Sequence, residues 1–244
     1  MMDIVYPMVN LSCNRDDFEL KYSLRSWDSQ IWVNNIYLIG HKPNWINEKV
    51  IHIPCESPYT NSKDANIINK ILVACSIENI SSIFVLCSDD QYVLKAVDPD
   101  HLVPMIENPS RMSIYKQKMK FNNWHRRVLS TAAWCNTHGY PDHIFQAHTP
   151  YLINKRNYPL FMSNVAWGHD NGFTTHIYMN MSVCKSPEKE PIGRTIRIKD
   201  HSDKEEFKKY IHTAIFLNHD DKGLMPLVQE YLINRFPNKS RWEI

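Results

Sequence analysis

Two adjacent carboxylates, Asp89 and Asp90, follow the apolar run 83–87 after a single serine. Side-by-side carboxylates repel and are costly to bury unless a cation compensates them. A hard divalent ion with a phosphate on its far side supplies that compensation. Taken alone, the pair also reads as a solvated turn that caps a helix. A second acid pair, Asp220-Asp221, follows the apolar run 213–218, and His148 lies in Gln146-Ala-His-Thr-Pro150. Lys63 and Asn66 open a helix before the first acid pair; Arg25 falls in an earlier helix, Arg194 and Arg197 in a late loop. Singly, each reads as a surface charge or a satisfied structural residue. Together they are what pyrophosphate chemistry requires: a metal and cations for the leaving group, and a base for an acceptor hydroxyl.

The elements that must position these groups follow from hydrophobic periodicity. Residues 83–87 have the length and β-branched content of a buried strand. Strands are also expected over 3–9, 36–40 and 50–54. Helices are expected over 17–32, with Phe18, Leu20, Leu24, Trp27 and Ile31 inward, and over 64–77. Alternation of this kind implies a mostly parallel central sheet with right-handed crossovers and helices on both faces. In such α/β sheets ligands bind beyond the carboxyl ends of the strands, where the acid pair would sit. The second half is less regular. Helices are expected over 124–136, 204–210 and 224–236, and a strand over 195–198. Residues 213–218 read as a buried strand or a helix start, and 171–181 as either type.

At 244 residues, with 43% hydrophobic and 22% charged residues, the chain is expected to form one domain with a core that needs no staples. Residues 1–110 would form its ligand-binding half and 111–244 the half that completes the site. The six cysteines show no close pair, which fits reduced thiols in a cytoplasmic protein rather than a zinc site or disulfide framework. No run has the length of a membrane span, and the start does not read as a signal peptide. Only six glycines are present, and none forms a dinucleotide fingerprint. A net charge of +2 implies no partner. Locally, however, residues 111–127 carry six basic and no acidic residues, interleaved with Tyr115, Phe121 and Trp124. Such a segment could hold phosphates and stack on bases, or form a solvated helix face.

The segments Asp-Ile-Val-Tyr-Pro (3–7), Glu-Leu-Lys-Tyr-Ser-Leu-Arg-Ser (19–26), Asn-Asn-Ile-Tyr-Leu-Ile-Gly (34–40), Lys-Pro-Asn-Trp (42–45) and Ser-Asp-Asp (88–90) resemble the opening blocks of Stealth proteins. Ala-His-Thr-Pro-Tyr-Leu-Ile-Asn-Lys (147–155) is similar to their third block. Phe-Leu-Asn-His-Asp-Asp (216–221) and Phe-Pro-Asn-Lys-Ser-Arg-Trp-Glu (236–243) are similar to their closing block. The first block departs from the family in having Asn10 where an acid is usual.

The resemblance implies a GT-A-like fold and a metal-dependent transferase, of the compact type associated with bacteria and phages. It would move a sugar or sugar-1-phosphate from a nucleotide-diphosphate sugar, a UDP-sugar above all, to an acceptor hydroxyl. It further implies Mn²⁺ or Mg²⁺ held by Asp90 first, with Asp89 and Asp221. His148, Asp90 and Asp220 would be catalytic, and Tyr6, Arg25, Lys63, Asn66, Asp89, Arg194 and Arg197 would contact the donor. The acceptor would be a carbohydrate or, through segment 111–127, a nucleic acid, as in a phage-type DNA glycosyltransferase. A catalytically inactive nucleotide-sugar binding module is the reading that Asn10 favours.

Overall fold

The computed structural model describes the chain apart from residues 10–16, 61, 118–121, 169–173 and 183–186, and apart from the side chains of 108–110, 115 and 117. Asn10 and part of the basic segment therefore lie outside the described residues. The main sheet has five strands in the order β3-β2-β1-β4-β8, formed by β1 (Met2–Met8), β2 (Val33–Gly40), β3 (Val50–Ile53), β4 (Ile83–Leu86) and β8 (Tyr151–Asn154). The first four run parallel, and β8 pairs antiparallel with β4 at the edge. The remaining strands are β5 (Gln91–Val93), β6 (Ile106–Arg111), β7 (His143–Phe145), β9 (Thr195–Ile198) and β10 (Phe216–His219). They form a second sheet, β5-β10-β9, and a two-stranded β6-β7 ribbon.

The chain lays β1, β2 and β3 outward in one direction, then returns to place β4 on the other side of β1. That reversal leaves a crevice beyond the carboxyl ends of β1 and β4. Two-residue alternation along these strands feeds two cores. Val5, Tyr37, Ile39, Phe84 and Leu86 face one layer, which includes α2 (Lys63–Ser76), α4 (Asn157–Met162) and α5 (His176–Ser182). Ile4, Tyr6, Ile36, Leu38, Val85 and Cys87 face the other, beneath α1 (Phe18–Trp27). A third core joins the second sheet to α6 (Lys204–Tyr210) and α7 (Pro226–Arg235).

At the amino edge of the main sheet, buried Asp3 gathers three strands. Its carboxylate accepts hydrogen bonds from Asn34, Asn35 and Ser81 at 2.7–3.1 Å. At the carboxyl edge, Gly40 has a φ of 118°, and a Cβ there would strike the Met8 carbonyl. Only glycine lets β2 finish this close to β1.

One expectation needs revision, and the open stretches resolve. The first helix stops at Trp27, and Ile31 is 93% exposed rather than inward. The Gln30 side chain instead holds Lys95 O and Val97 N, turning the chain into β2. Residues 142–151, which carry no clear periodicity, supply β7 and lead into β8. The ambiguous stretch 171–181 contains α5 among its described residues, and 213–218 resolves as the approach to β10.

Candidate functional site

The turn Ser88-Asp89-Asp90 leaves β4 at the crevice and is braced from three directions. Gln91, only 3% exposed, accepts from Ser88 N at 3.0 Å and donates its Nε2 to Ala147 O at 3.1 Å. One side chain therefore fixes the distance between the acid pair and the loop that carries His148. Asn218 of β10, 1% exposed, donates to Asp90 O at 3.0 Å. Ser23 of α1 donates to Gln91 O at 2.6 Å. Because the buried amide side chains are hydrogen-bonded, the turn is rigid as well as paired.

Asp90 of the acid pair lines a cavity of about 590 Å³. Asp90, Ser88, Cys87, Leu86 and Pro7 form the wall nearest the sheet. Ser62 caps α2 by accepting from Ala65 N at 3.2 Å, which sets Lys63 and Asp64 at the rim. Arg127 of α3 (Asn123–Thr137) reaches across to Asp64 at 2.7 Å. Trp124 and His125, in the first turn of α3, line the same side. The far wall carries Glu107 of β6, Arg197 of β9, Lys199, Asp220, His148 and His176. Arg197 pairs with Asp220 at 3.0 Å. Gly223, in the turn after Asp220-Asp221, lies so close to Ile198 O that a Cβ would clash with it.

Electrostatics separate these groups. Burial, then the neighbouring Asp90, pushes the Asp89 carboxyl up to about 6. Burial raises Asp90 as well, while Lys63 opposes the rise in both. Each carboxylate is thus poised to gain from a cation. Burial, reinforced by Arg197, His176 and Lys199, holds the His148 imidazole well below its usual range. His176 is lowered to about 4 by burial, and its Nδ1 has no hydrogen-bond partner among the described residues. Glu107 is raised, by burial first.

Of the residues expected from sequence, Lys63, Asp90, His148, Arg197 and Asp220 line the cavity, with Asp89 beside Asp90 in the turn. The others are placed elsewhere. Tyr6 is fully buried with its hydroxyl on Ser23 Oγ at 2.8 Å. Arg25 makes a bidentate pair with Glu243, both contacts at 2.8 Å, and donates to Phe236 O. Asn66 braces the preceding loop through both backbone groups of Tyr59. Arg194 pairs with Glu190 at 3.1 Å and lies over the Phe216 ring. Asp221 is exposed and does not line the cavity. Asp64, Glu107, Arg127, His176 and Lys199 belong to the cavity but went unread. Arg127 sat within the basic run, whereas Glu107 and His176 had no local signal.

No protein-family model matches the sequence, and no curated protein matches it. Solved structures do share its architecture. WbbM, a bifunctional glycosyltransferase in its apo form, superposes with a TM-score of 0.53 at 9% identity, covering 98% of this chain and 50% of WbbM. The galactosyltransferase LgtC, in complex with donor and acceptor sugar analogues, gives a TM-score of 0.50 at 8% identity, covering 98% of each chain. The fold is that of the GT-A-like glycosyltransferases. This chain spans half the length of WbbM and nearly all of LgtC.

Among the described residues of this GT-A-like fold, no three His, Cys, Asp or Glu side chains converge into a ready metal cage. Asp89 and Asp90 suit an ion that takes its remaining ligands from water and a substrate diphosphate, as Mg²⁺ does. The donor set fits a divalent ion that arrives with its phosphate ligand.

Proposed function

We propose that this chain is a transferase that takes a nucleotide-diphosphate sugar as donor and a carbohydrate hydroxyl as acceptor. The observation that carries the reading is the convergence of Asp90, His148 and Asp220 on one cavity at the carboxyl ends of β1 and β4. These residues lie in three sequence blocks that resemble Stealth proteins, and their meeting supports transfer of a sugar or a sugar-1-phosphate.

In this reading Asp89 and Asp90 would hold Mn²⁺ or Mg²⁺, which when bound supplies charge neutralisation for the donor diphosphate. Lys63 adds a cation on the same side. A second cavity of about 430 Å³, lined by Met8, Gly40, Cys55 and Ser57 among others, opens along the same sheet edge and has room for the nucleoside end. In the basic segment, Arg111 is committed to Asp142 at 2.7 Å and Arg127 to Asp64. That pairing favours a carbohydrate over a nucleic-acid acceptor.

Incubation with Mn²⁺ and a panel of UDP-hexoses, followed by chromatography of the nucleotides, tests the reading. UDP release marks glycosyl transfer, with attack at the anomeric carbon. UMP release marks sugar-phosphate transfer, with attack at phosphorus. A protein that releases neither nucleotide from any donor contradicts the proposal.

A further inference from the structure

Four carboxylates line the main cavity: Asp64, Asp90, Glu107 and Asp220. Three have occupations. Asp64 is paired with Arg127, Asp220 with Arg197, and Asp90 forms the acid pair with Asp89. Glu107 makes no hydrogen bond or ion pair with any described residue. Its neighbour Glu190 is spoken for by Arg194 and Thr195. Glu107 projects from β6, whose hydrogen bonds to Glu188 O and from Glu190 N, both at Ile106, hold the strand in place. We propose that Glu107 is the base that takes the proton from the acceptor hydroxyl, with His148 as a hydrogen-bonding neighbour rather than the proton acceptor. This rests on the transferase reading above.

The charges around each candidate decide between them. Glu107 faces Arg197 and Lys199 from the β9 side and Glu190 from the flanking segment, with His148 and Asp220 on the same cavity wall. His148 faces Arg197, Lys199, Lys63 and His176. A proton taken by His148 would create a cation among cations in a half-buried site. Taken by Glu107, the same proton removes a charge that burial already disfavours. Burial raises the Glu107 carboxyl and so favours its taking a proton, whereas burial and the surrounding cations oppose a proton on His148. As the acceptor oxygen bonds to the electrophilic centre, its proton passes to the Glu107 carboxylate. The bond from that centre to the leaving phosphate oxygen breaks, and its electron pair departs with the nucleotide. The proton balance is the same whether the centre is the anomeric carbon or phosphorus.

The test is the pH dependence of kcat/KM for nucleotide release from the most active UDP-hexose with Mn²⁺, in wild type, Glu107→Gln, Glu107→Asp and His148→Gln. Wild type should lose activity as pH falls through a limb above the ordinary glutamate range. Glu107→Gln should lower kcat by about 100-fold or more, leave donor KM within about threefold and abolish the limb. His148→Gln should retain the limb. Glu107→Asp, which keeps a carboxylate, should retain the limb at reduced rate and stands in if the glutamine variant does not fold. A limb that disappears in His148→Gln, or persists unchanged in Glu107→Gln with kcat within about threefold of wild type, overturns the assignment but leaves the transferase reading intact. A wild type that neither binds nor consumes any UDP-hexose overturns that reading, and Glu107's role with it.

Discussion

Asp89 and Asp90 are held where neither gains from its neighbour. Burial and mutual repulsion raise Asp89 to about 6. A carboxyl whose folded pKa lies above its unfolded value stabilises the fold while protonated, and that contribution is lost as pH rises through the folded pKa. Without divalent ions, Tm should therefore fall between pH 5 and 7.5. Mn²⁺ should restore more of it at pH 7.5 than at pH 5, and Asp90→Asn should flatten both responses. A thermal-shift series without a pH-dependent Mn²⁺ effect would contradict the cation role of the pair. Gln91 is a positioning residue at the same scale. Gln91→Leu leaves Ser88 N and Ala147 O without their partners, at a cost of about 1–3 kcal/mol for each buried group. It should lower kcat far more than it changes donor KM, because the acid pair and the His148 loop lose their shared brace. Steady-state kinetics showing an unchanged kcat in the folded variant would contradict the brace.

At the scale of elements, the parallel strands were legible because each is a short apolar run whose alternate residues feed opposite layers, as Val5 and Tyr6 do. β8 was not legible. Tyr151-Leu-Ile-Asn154 carries no alternation that tells a parallel strand from an antiparallel edge, and its pairing to β4 is set by the loop that carries His148. Arg25 illustrates a different limit. An arginine inside an amphipathic helix gives no hint that its partner lies 218 residues away. The pair it makes with Glu243 ties α1 to the closing segment, where Ile244 N also donates to Trp45 O and Asn47 N to Trp242 O. Arg25→Ala should cost about 3–5 kcal/mol in urea unfolding, because it strands a buried glutamate. Donor affinity of the folded protein should not change. A large loss of donor affinity without a stability change would return Arg25 to the binding site.

At the scale of the molecule, the reversal of strand order places the cavity, and residues from both halves of the sequence wall it. Residues 1–110 supply the acid pair, Lys63 and Glu107; residues 111–244 supply Arg127, His148, Arg197 and Asp220. Sequence blocks in order indicated which polar residues belong together, but not which of them meet. Asp220 reaches the cavity and its neighbour Asp221 does not, a distinction fixed by the turn at Gly223 and the ion pair to Arg197. Glu107 gave no sequence signal, because its lack of a side-chain partner among the described residues shows only in the packing. The described residues contain no helix long and apolar enough to cross a membrane.

The central claim is that a nucleotide-diphosphate sugar and a divalent ion share the site of Asp89 and Asp90. Calorimetric titration of UDP-hexoses into the protein, with Mn²⁺ and with EDTA, tests it most directly. The account predicts binding of at least one donor that tightens by tenfold or more with Mn²⁺, and loss of that enhancement in Asp90→Asn. Failure of every donor to bind, or binding that is equal with Mn²⁺, with EDTA and in Asp90→Asn, would contradict it.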